Sequence, residues 1–267
     1  MLKHTHIYLL YAFLLGSFHS LHGQVDFTAS VTQGCSPQVI VFTPNAPGAT
    51  SYDWDLGNGT NSNAVSPGVT YINPGFYTVR MRAIYPGGGT REITKTSYIE
   101  IFDNPIADFA ANPIQICEGE TVQFTDQSQP GSNPITSWLW DFGDGDTGSV
   151  QNVNHTYTSP GTYSVSLIAT DVRGCEDIEQ KQALIVVNPR PDASFIADNA
   201  LGCAAPFPVN FFSTGSGSAF THSWDLGNGQ TSNQVNPSTT YNGNGSFNVT
   251  HIVSSPLGCS DTVVKAG

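Results

Sequence analysis

Charged residues are scarce in this chain, and basic residues are the scarcest. Only 11% of the 267 residues are charged, with 9 Lys and Arg against 21 Asp and Glu. Nucleic acids and anionic membranes bind proteins through clusters of Lys and Arg, so this chain is predicted to bind neither. No stretch after residue 23 shows a sustained helical period, and no apolar run is long enough to span a bilayer as a helix. These absences exclude helical bundles and helical membrane proteins.

Turn residues and aromatic residues are abundant instead. The chain has 27 Gly and 17 Pro, together with 15 Phe, 10 Tyr and 4 Trp. So many aromatic side chains are enough to build buried cores, which argues against a disordered chain in spite of the high Gly and Pro content. Turn formers combined with β-forming residues predict an all-β protein.

The first 23 residues differ in character from the rest. Lys3 precedes an apolar run, residues 7–18, and a small residue, Gly23, follows it. This order is typical of a signal peptide, and we predict cleavage after Gly23. A membrane anchor is the alternative, but the run is too short to cross a bilayer. The mature chain is therefore expected to be secreted or on the cell surface, with 8 basic and 21 acidic residues and a formal charge of −13.

Three segments of the chain repeat one another at nearly constant spacing. The sequences YDWDLGNG, WLWDFGDG and HSWDLGNG share a central Trp, which a Tyr follows 17 residues later and a Gly 21 residues later. Landmarks at the same offsets in three copies establish an internal repeat. The aromatic residues at these offsets are predicted to be structural core: Trp54, Trp140 and Trp224, with Tyr71, Tyr157 and Tyr241.

Each copy also carries the period of a β-strand packed on one side. Tyr163, Val165 and Leu167 alternate with polar residues, as do the corresponding residues of the first copy. The Gly-Asp-Gly and Gly-Asn-Gly sequences suit tight hairpin turns. Seven strands in about 80 residues are therefore predicted for each copy. Pro-containing joints divide the mature chain into repeat 1 (24–103), repeat 2 (104–188) and repeat 3 (189–267).

The second copy resembles the signature of PKD (polycystic kidney disease) domains. The resemblance rests on WDFGDG at 140–145, HTY at 155–157 and PGTY at 160–163. The first copy keeps most of this pattern, whereas the third has Asn244 in place of the Pro and Phe247 in place of the last Tyr. The resemblance covers nearly all of the mature chain. It implies tandem immunoglobulin-like β-sandwiches found outside cells, in surface proteins and as ancillary modules of secreted hydrolases, with no shared catalytic residue or ligand.

Repeat 3 is expected to lack its last strand. Residues 184–187 of repeat 2 correspond to positions 268–271, just past Gly267. An unclosed sheet leaves backbone groups unpaired along one edge. We therefore expect repeat 3 to be incomplete and the chain to be a fragment of a larger protein.

Five Cys in an exported chain suggest disulfides. Cys117 and Cys175 lie 58 residues apart in repeat 2, and Cys203 and Cys259 lie 56 apart in repeat 3. These matching positions predict one bridge within each repeat, Cys117 with Cys175 and Cys203 with Cys259. A metal site is disfavoured because no CxxC or His spacing accompanies them. Cys35 matches Cys117 but has a Gly at its partner position, so we expect a free buried thiol, with pairing to another chain as the alternative.

The motif turn of repeat 2 is acidic enough to suggest a cation site. Asp141, Asp144 and Asp146 would suit a weak calcium site of the kind found in extracellular modules. However, an Asn replaces the middle acid in both other repeats. The alternative, which we favour, is that these side chains hydrogen-bond the hairpin backbone and that the chain holds no metal or other cofactor.

No residue pattern points to catalysis. His155, His222 and His251 are the His residues after residue 23, and they form no HExxH motif. The sequence also has no GxSxG elbow and no Cys-His nucleophile pattern. A pair of catalytic carboxylic acids for glycoside cleavage would need a cleft, whereas a small β-sandwich fills its interior with side chains. We therefore predict that the chain is not an enzyme and that His155 and His251 are structural residues. Stacking on sugars is a disfavoured role for the three motif Trp residues.

The predicted function is a non-catalytic extracellular or cell-surface module for interaction and spacing. A role in adhesion is predicted by analogy alone, because a fold does not fix a function. One alternative is a set of ancillary repeats of a secreted hydrolase whose catalytic domain lies outside this chain. Another is a purely mechanical stalk. The expected partner is a protein or carbohydrate surface ligand, with no small-molecule substrate and no membrane insertion of the mature chain.

Overall fold

The computed structural model describes residues 24–216 and 219–267, so the predicted signal peptide lies outside the described residues. Within those ranges all regular secondary structure is β-strand. No helix capable of crossing a bilayer occurs in the described part of the chain. The chain divides into two compact units, one ending at Ile101 and the other covering Phe102–Gly267, which contains repeats 2 and 3.

Repeat 1 is a sandwich of a three-stranded and a five-stranded sheet. The strand orders are β1-β3-β6 and β2-β8-β7-β4-β5. The strands are β1 (Asp26–Ala29), β2 (Gln33–Cys35), β3 (Gln38–Asn45), β4 (Ser51–Asp55), β5 (Asn61–Ser62), β6 (Gly68–Tyr71), β7 (Gly75–Ile84) and β8 (Thr90–Phe102).

Repeat 2 has the same architecture. Its sheets have the orders β9-β11-β14 and β10-β16-β15-β12-β13. The strands are β9 (Phe109–Asn112), β10 (Gln115–Cys117), β11 (Thr121–Asp126), β12 (Ile135–Asp141), β13 (Thr147–Gly148), β14 (Val153–Thr156), β15 (Gly161–Asp171) and β16 (Glu176–Asn188).

Repeat 3 keeps the three-stranded sheet but has only four strands in the other. The orders are β17-β18-β21 and β20-β19-β22-β23. The strands are β17 (Phe195–Ala197), β18 (Phe207–Ser213), β19 (Thr221–Asp225), β20 (Thr231–Ser232), β21 (Ser238–Tyr241), β22 (Val249–Ser254) and β23 (Ser260–Lys265). In the described residues the larger sheet of repeat 3 has no counterpart of the short strand β10. Its last strand, β23, is present but has six residues where β16 has thirteen.

The predicted all-β class is confirmed, although repeats 1 and 2 each have eight strands and not seven. One short strand that the sequence does not reveal is β10, which pairs in parallel with the end of β16 and places Gln115 opposite Val186. The predicted alternation is correct, because Val165, Leu167 and Ala169 of β15 are buried and the residues between them are not. Burial of alternate apolar side chains between two sheets is what holds each sandwich together.

A bulge bends the long last strand of the first two repeats. In repeat 2 the β15–β16 register shifts after Tyr163, and Ala183 adopts a left-handed backbone with φ of 50°. The Ala183 amide donates to the Ser164 hydroxyl at 3.0 Å. Gly267 repeats this geometry in repeat 3, with φ of 65° and its amide donating to the Asn248 side chain at 3.0 Å. A side chain bonded to the bulge amide is thus part of the repeat, and it fixes where the strand turns.

Candidate functional site

The repeated WD motif builds the turn that connects β12 to β13 in repeat 2. The Asp141 carboxylate accepts from the Gly143 amide at 2.9 Å, and the Asp144 carboxylate accepts from the Asp146 amide at 3.1 Å. In repeat 1 Asn58 makes the second of these bonds equally well. The favoured prediction, that these side chains hydrogen-bond the hairpin backbone, is therefore correct for Asp141 and Asp144.

The first Gly of the motif is required by two independent constraints. Gly143 has φ of 81°, which L side chains rarely adopt, and a Cβ at this position would lie 2.3 Å from the Ser164 carbonyl oxygen. Gly57 and Gly227 show the same two constraints. The turn therefore accepts only Gly where the hairpin lies against the neighbouring strand.

The three motif Trp residues lie in the cores of their repeats and not on a binding surface. Trp54, Trp140 and Trp224 have exposed fractions of 2%, 0% and 1%. Each indole N–H donates to a carbonyl ten residues later along the chain, for example Trp140 to Val150 at 2.9 Å. Because the ring faces are covered and the polar atom is satisfied, none of the three can stack on a sugar.

Each of the three predicted core Tyr residues anchors the motif turn of its own repeat. The hydroxyls of Tyr71, Tyr157 and Tyr241 donate to the carbonyls of residues 56, 142 and 226. Burial raises the pKa of all three hydroxyls above the usual value of 10.0, so they remain donors throughout the neutral range. These residues are structural.

The acidic turn of repeat 2 gathers a set of groups different from the predicted one. Asp144 and Asp146 lie with His155, and the three ligand atoms are all within 4.8 Å of one another. Asp141 is not in this group, because its carboxylate faces the Gly143 amide. Sequence reasoning treated His155 as a structural residue. Its position on β14, beside the turn, depends on pairing between distant segments that spacing alone does not reveal.

The predicted disulfides are wrong. Cys117 is bonded to Cys259, which joins repeat 2 to repeat 3. Neither the Cys117–Cys175 bridge nor the Cys203–Cys259 bridge is formed, and Cys203 is free and exposed. Cys35, predicted to be a free thiol, is disulfide-bonded, as is Cys175.

The geometry of β16 explains why Cys117 cannot reach Cys175. Cys117 is paired beside Asn188 at the end of β16, whereas Cys175 immediately precedes Glu176 at its beginning. Thirteen residues of strand separate the two ends by roughly 40 Å, while a disulfide needs Cα atoms within about 7 Å. Repeat 2 thus carries its two Cys residues at opposite ends of β16, so Cys117 is placed to bond a Cys of repeat 3.

Arg190 reinforces the joint between repeats 2 and 3. Its Nε donates to the Glu118 carbonyl at 2.6 Å, and its Nη1 donates to the Ser260 carbonyl at 3.3 Å. A longer ion pair with Glu120 measures 3.8 Å. One side chain therefore bridges the segments that also carry Cys117 and Cys259, so the joint is fixed by a covalent bond and by hydrogen bonds.

A pair of His residues is buried in repeat 3. His251 has an exposed fraction of 0% and stacks on Trp224 with ring centroids 3.7 Å apart. Its Nδ1 faces the Ala193 carbonyl at 2.9 Å, and its Nε2 faces His222 Nδ1 at 3.0 Å. The network assigns a neutral tautomer to His251, with Nδ1–H donating to the carbonyl and Nε2 accepting from His222. His251 is structural, as predicted, but fully buried.

We expect the stability of repeat 3 to fall as the pH falls below about 6.5. Burial lowers the pKa of His251 from its usual 6.5, and repulsion from His222 adds to this, while the Ala193 carbonyl, Asp192 and Asp261 oppose it. Below pH 6.5 the folded state then binds fewer protons than the unfolded state. The contribution of His251 to stability is therefore fully present above pH 6.5 and decreases as the pH falls toward the lower pKa of the folded state. The slope is about 1.4 kcal/mol per pH unit at most, measurable by urea denaturation at pH 5–8.

The matched control is His251→Leu, because Leu167 occupies this position in repeat 2. The variant should lose the pH dependence, while its stability at pH 7 should fall because the Ala193 carbonyl and His222 lose a hydrogen-bond partner. An unchanged pH profile in this variant would show that His251 is not the responsible group.

Repeat 3 has an open groove where repeat 2 is filled. In repeat 2, Ile185 and Val187 at the end of β16 are buried in the core. The matching part of repeat 3 is a groove of about 620 Å³ beside Gly267 and Cys203. Its apolar lining comprises Phe195, Phe207, Phe211, Tyr241, Phe247 and Val249.

Comparison with known proteins shows the same repeat throughout the chain. A family model described as "PKD domain" matches residues 24–101, 103–187 and 186–266. The crystal structure of the PKD1 domain from Vibrio cholerae metalloprotease PrtV is 34% identical, with 31% of this chain and 98% of that domain covered and a TM-score of 0.28.

Two curated bacterial proteins illustrate where similar repeats occur. Collagenase ColA of Bacillus cereus is 30% identical over 119 residues, which is 44% of this chain and 12% of that protein. The pre-pro-metalloprotease PrtV of Vibrio cholerae is 37% identical over 78 residues, 29% of this chain and 8% of that protein. The matched part is about a tenth of the length of these relatives.

Proposed function

Because this chain belongs to the PKD domain family, with three copies in tandem, we propose that it is a non-catalytic extracellular module that holds attached surfaces at a fixed spacing. The observation that carries the proposal is the Cys117–Cys259 bond between repeats 2 and 3. A disulfide that joins two repeats contributes nothing to a reaction, but it restricts bending between them. Restricted bending is what a spacer needs.

Export supports this function. Four of the five Cys residues are disulfide-bonded, and such bonds persist in oxidising compartments outside the cytosol. The predicted signal peptide agrees with the same location. We therefore propose that the module works in secreted form or on the cell surface.

Adhesion is the role we propose for this spacer, with a protein or carbohydrate surface ligand. The similarity to collagenase and metalloprotease sequences favours a second candidate, an accessory module of a secreted hydrolase. Binding of the mature chain to whole cells, insoluble polysaccharide and fibrillar collagen separates the two. Retention on cells alone supports adhesion, retention on collagen or polysaccharide supports the accessory role, and retention on none supports a mechanical stalk.

The spacer proposal is tested by the stiffness of the joint. Spin labels attached to unnatural residues at the exposed positions Val150 and Val264 report the distance between repeats 2 and 3. We expect a narrow distance distribution that broadens when both Cys117 and Cys259 are replaced by Ser. Cys203→Ser is the matched control, because that thiol is free, and it should leave the distribution unchanged. A distribution equally broad in all three proteins would contradict a rigid joint.

A further inference from the structure

The motif turn of repeat 2 has a charge pattern that its two neighbours lack. Asp144, Asp146 and His155 place two carboxylates and an imidazole nitrogen within 4.8 Å of one another. The closest approach is 2.7 Å, between His155 Nε2 and the Asp144 carboxylate. In the described parts of the chain, no Lys or Arg forms an ion pair with either carboxylate.

The imidazole is held rigidly in this position. The His155 ring stacks on Phe142 with centroids 4.1 Å apart and planes 4° from parallel, and it meets the edge of Tyr157 at 4.7 Å. The side chains of His155 and Asp144 are 10% and 17% exposed. The Asp144 carboxylate is also fixed by the Asp146 amide. Two of the three groups are therefore preorganised, and the third, Asp146, lies on the exposed side of the turn.

The hairpin itself does not require these charges. In repeat 3 the same three positions are Asn228, Gln230 and Thr239, and they form a neutral hydrogen-bonded set. Repeat 1 has Asn58, Thr60 and Val69 there and forms the same turn. Two carboxylates whose oxygens lie within 4.8 Å of one another repel each other, and the turn does not require this arrangement.

We propose that Asp144, Asp146 and His155 form a binding site for a divalent transition metal, Zn²⁺ in particular. A cation would convert the repulsion between the carboxylates into attraction and would give the His155 nitrogen a ligand role. Zn²⁺ is commonly held by three protein ligands of the N and O type with water in the fourth position. Calcium prefers six to eight oxygen ligands, so the presence of His155 selects against it.

The distances permit this coordination with small side-chain movements. Metal–ligand bonds of about 2.0–2.2 Å to a tetrahedral ion put ligand atoms roughly 3.4 Å from one another. The 2.7 Å contact between His155 and Asp144 must open by less than 1 Å, and the exposed Asp146 must move inward. Both movements need only side-chain rotations, so the backbone of the turn stays in place.

Titration of the mature chain with Zn²⁺ alone tests the site, using calorimetry and thermal unfolding. The background is Cys203→Ser, so that the exposed thiol cannot take the metal. We expect saturable binding of one Zn²⁺ per chain and a rise in the unfolding temperature of repeat 2. The variants His155→Thr and Asp146→Thr install residues found in the neighbouring repeats, and each should weaken binding by at least about tenfold.

Control measurements decide between this site and unspecific binding. Glu176→Gln removes an exposed charge from the same repeat and should leave the affinity unchanged. Asp146→Thr changes an exposed turn residue, so it tests the site even if His155→Thr destabilises the core. The absence of Zn²⁺ binding, an affinity in both ligand variants that equals that of the parent protein, or a preference for Ca²⁺ over Zn²⁺ would each overturn the proposal.

Discussion

Replacing Trp140 by Ala is expected to destabilise repeat 2 by about 3–5 kcal/mol, as for other large aromatic residues removed from cores. Trp140 is completely buried, and its ring lies edge-on to Phe109 with centroids 5.2 Å apart. Phe124 packs against it at 5.8 Å. The substitution would also leave the Val150 carbonyl without its indole donor. Urea denaturation monitored by hydrogen exchange in β12 and β15 would measure the loss.

The neighbouring residue Leu139 provides the control. It lies on the same strand but faces outward, with an exposed fraction of 50%. Leu139→Ala should change the stability of repeat 2 by no more than about 0.5 kcal/mol. If Trp140→Ala kept its stability and instead lost binding to a polysaccharide, the core assignment would be contradicted and the sugar-stacking alternative supported.

The architecture of each repeat could be predicted because it depends on local patterns. Alternation along β15 identified the buried face, and the motif Gly residues identified the turn, since both effects act within a few residues. The three Trp and three Tyr residues repeat at fixed offsets, so their core positions followed from the repetition. Such features are set by short-range stereochemistry and burial, which a single sequence records.

The disulfides could not be predicted because they depend on which ends of two sandwiches meet. Matching offsets showed that Cys175 and Cys259 occupy the same position in repeats 2 and 3, but offsets do not show that Cys117 and Cys175 lie at opposite ends of β16. The short parallel strand β10, which carries Cys117 to that end, has only three residues and no periodicity to detect. Connectivity between Cys residues is in general undetermined by spacing.

The position of His155 at the candidate metal site likewise could not be predicted from spacing in the sequence. Asp144 and Asp146 are neighbours in sequence, so their association could be predicted. His155 joins them because β14 belongs to the opposite sheet and crosses beside the turn, which is a tertiary relationship. The replacement of a predicted oxygen ligand, Asp141, by an imidazole nitrogen changes the preferred metal from calcium to zinc.

The groove in repeat 3 marks a difference in packing from the other two copies. Repeats 1 and 2 complete their larger sheet with the end of a 13-residue strand, β8 or β16, whose inward side chains fill the core. The corresponding strand β23 has six residues. The aromatic side chains that would contact the inward residues line an open groove of about 620 Å³. An unfilled apolar groove and an unpaired edge both reduce the stability of the sandwich.

Extending the chain past Gly267 with Leu-Ile-Val-Val-Asn, the sequence of residues 184–188, is expected to stabilise repeat 3. The backbone of Gly267 already adopts the bulge that directs β16 into the core at Ala183, so the added residues should enter the groove in register. The control extension has Ser at the two positions that match Ile185 and Val187. Ordering of the backbone costs the same in both proteins, so their difference isolates the burial of two aliphatic side chains, about 3–5 kcal/mol. Hydrogen exchange of the β22 amides gives this difference directly, and equal protection in the two proteins would mean that the groove does not accept a strand.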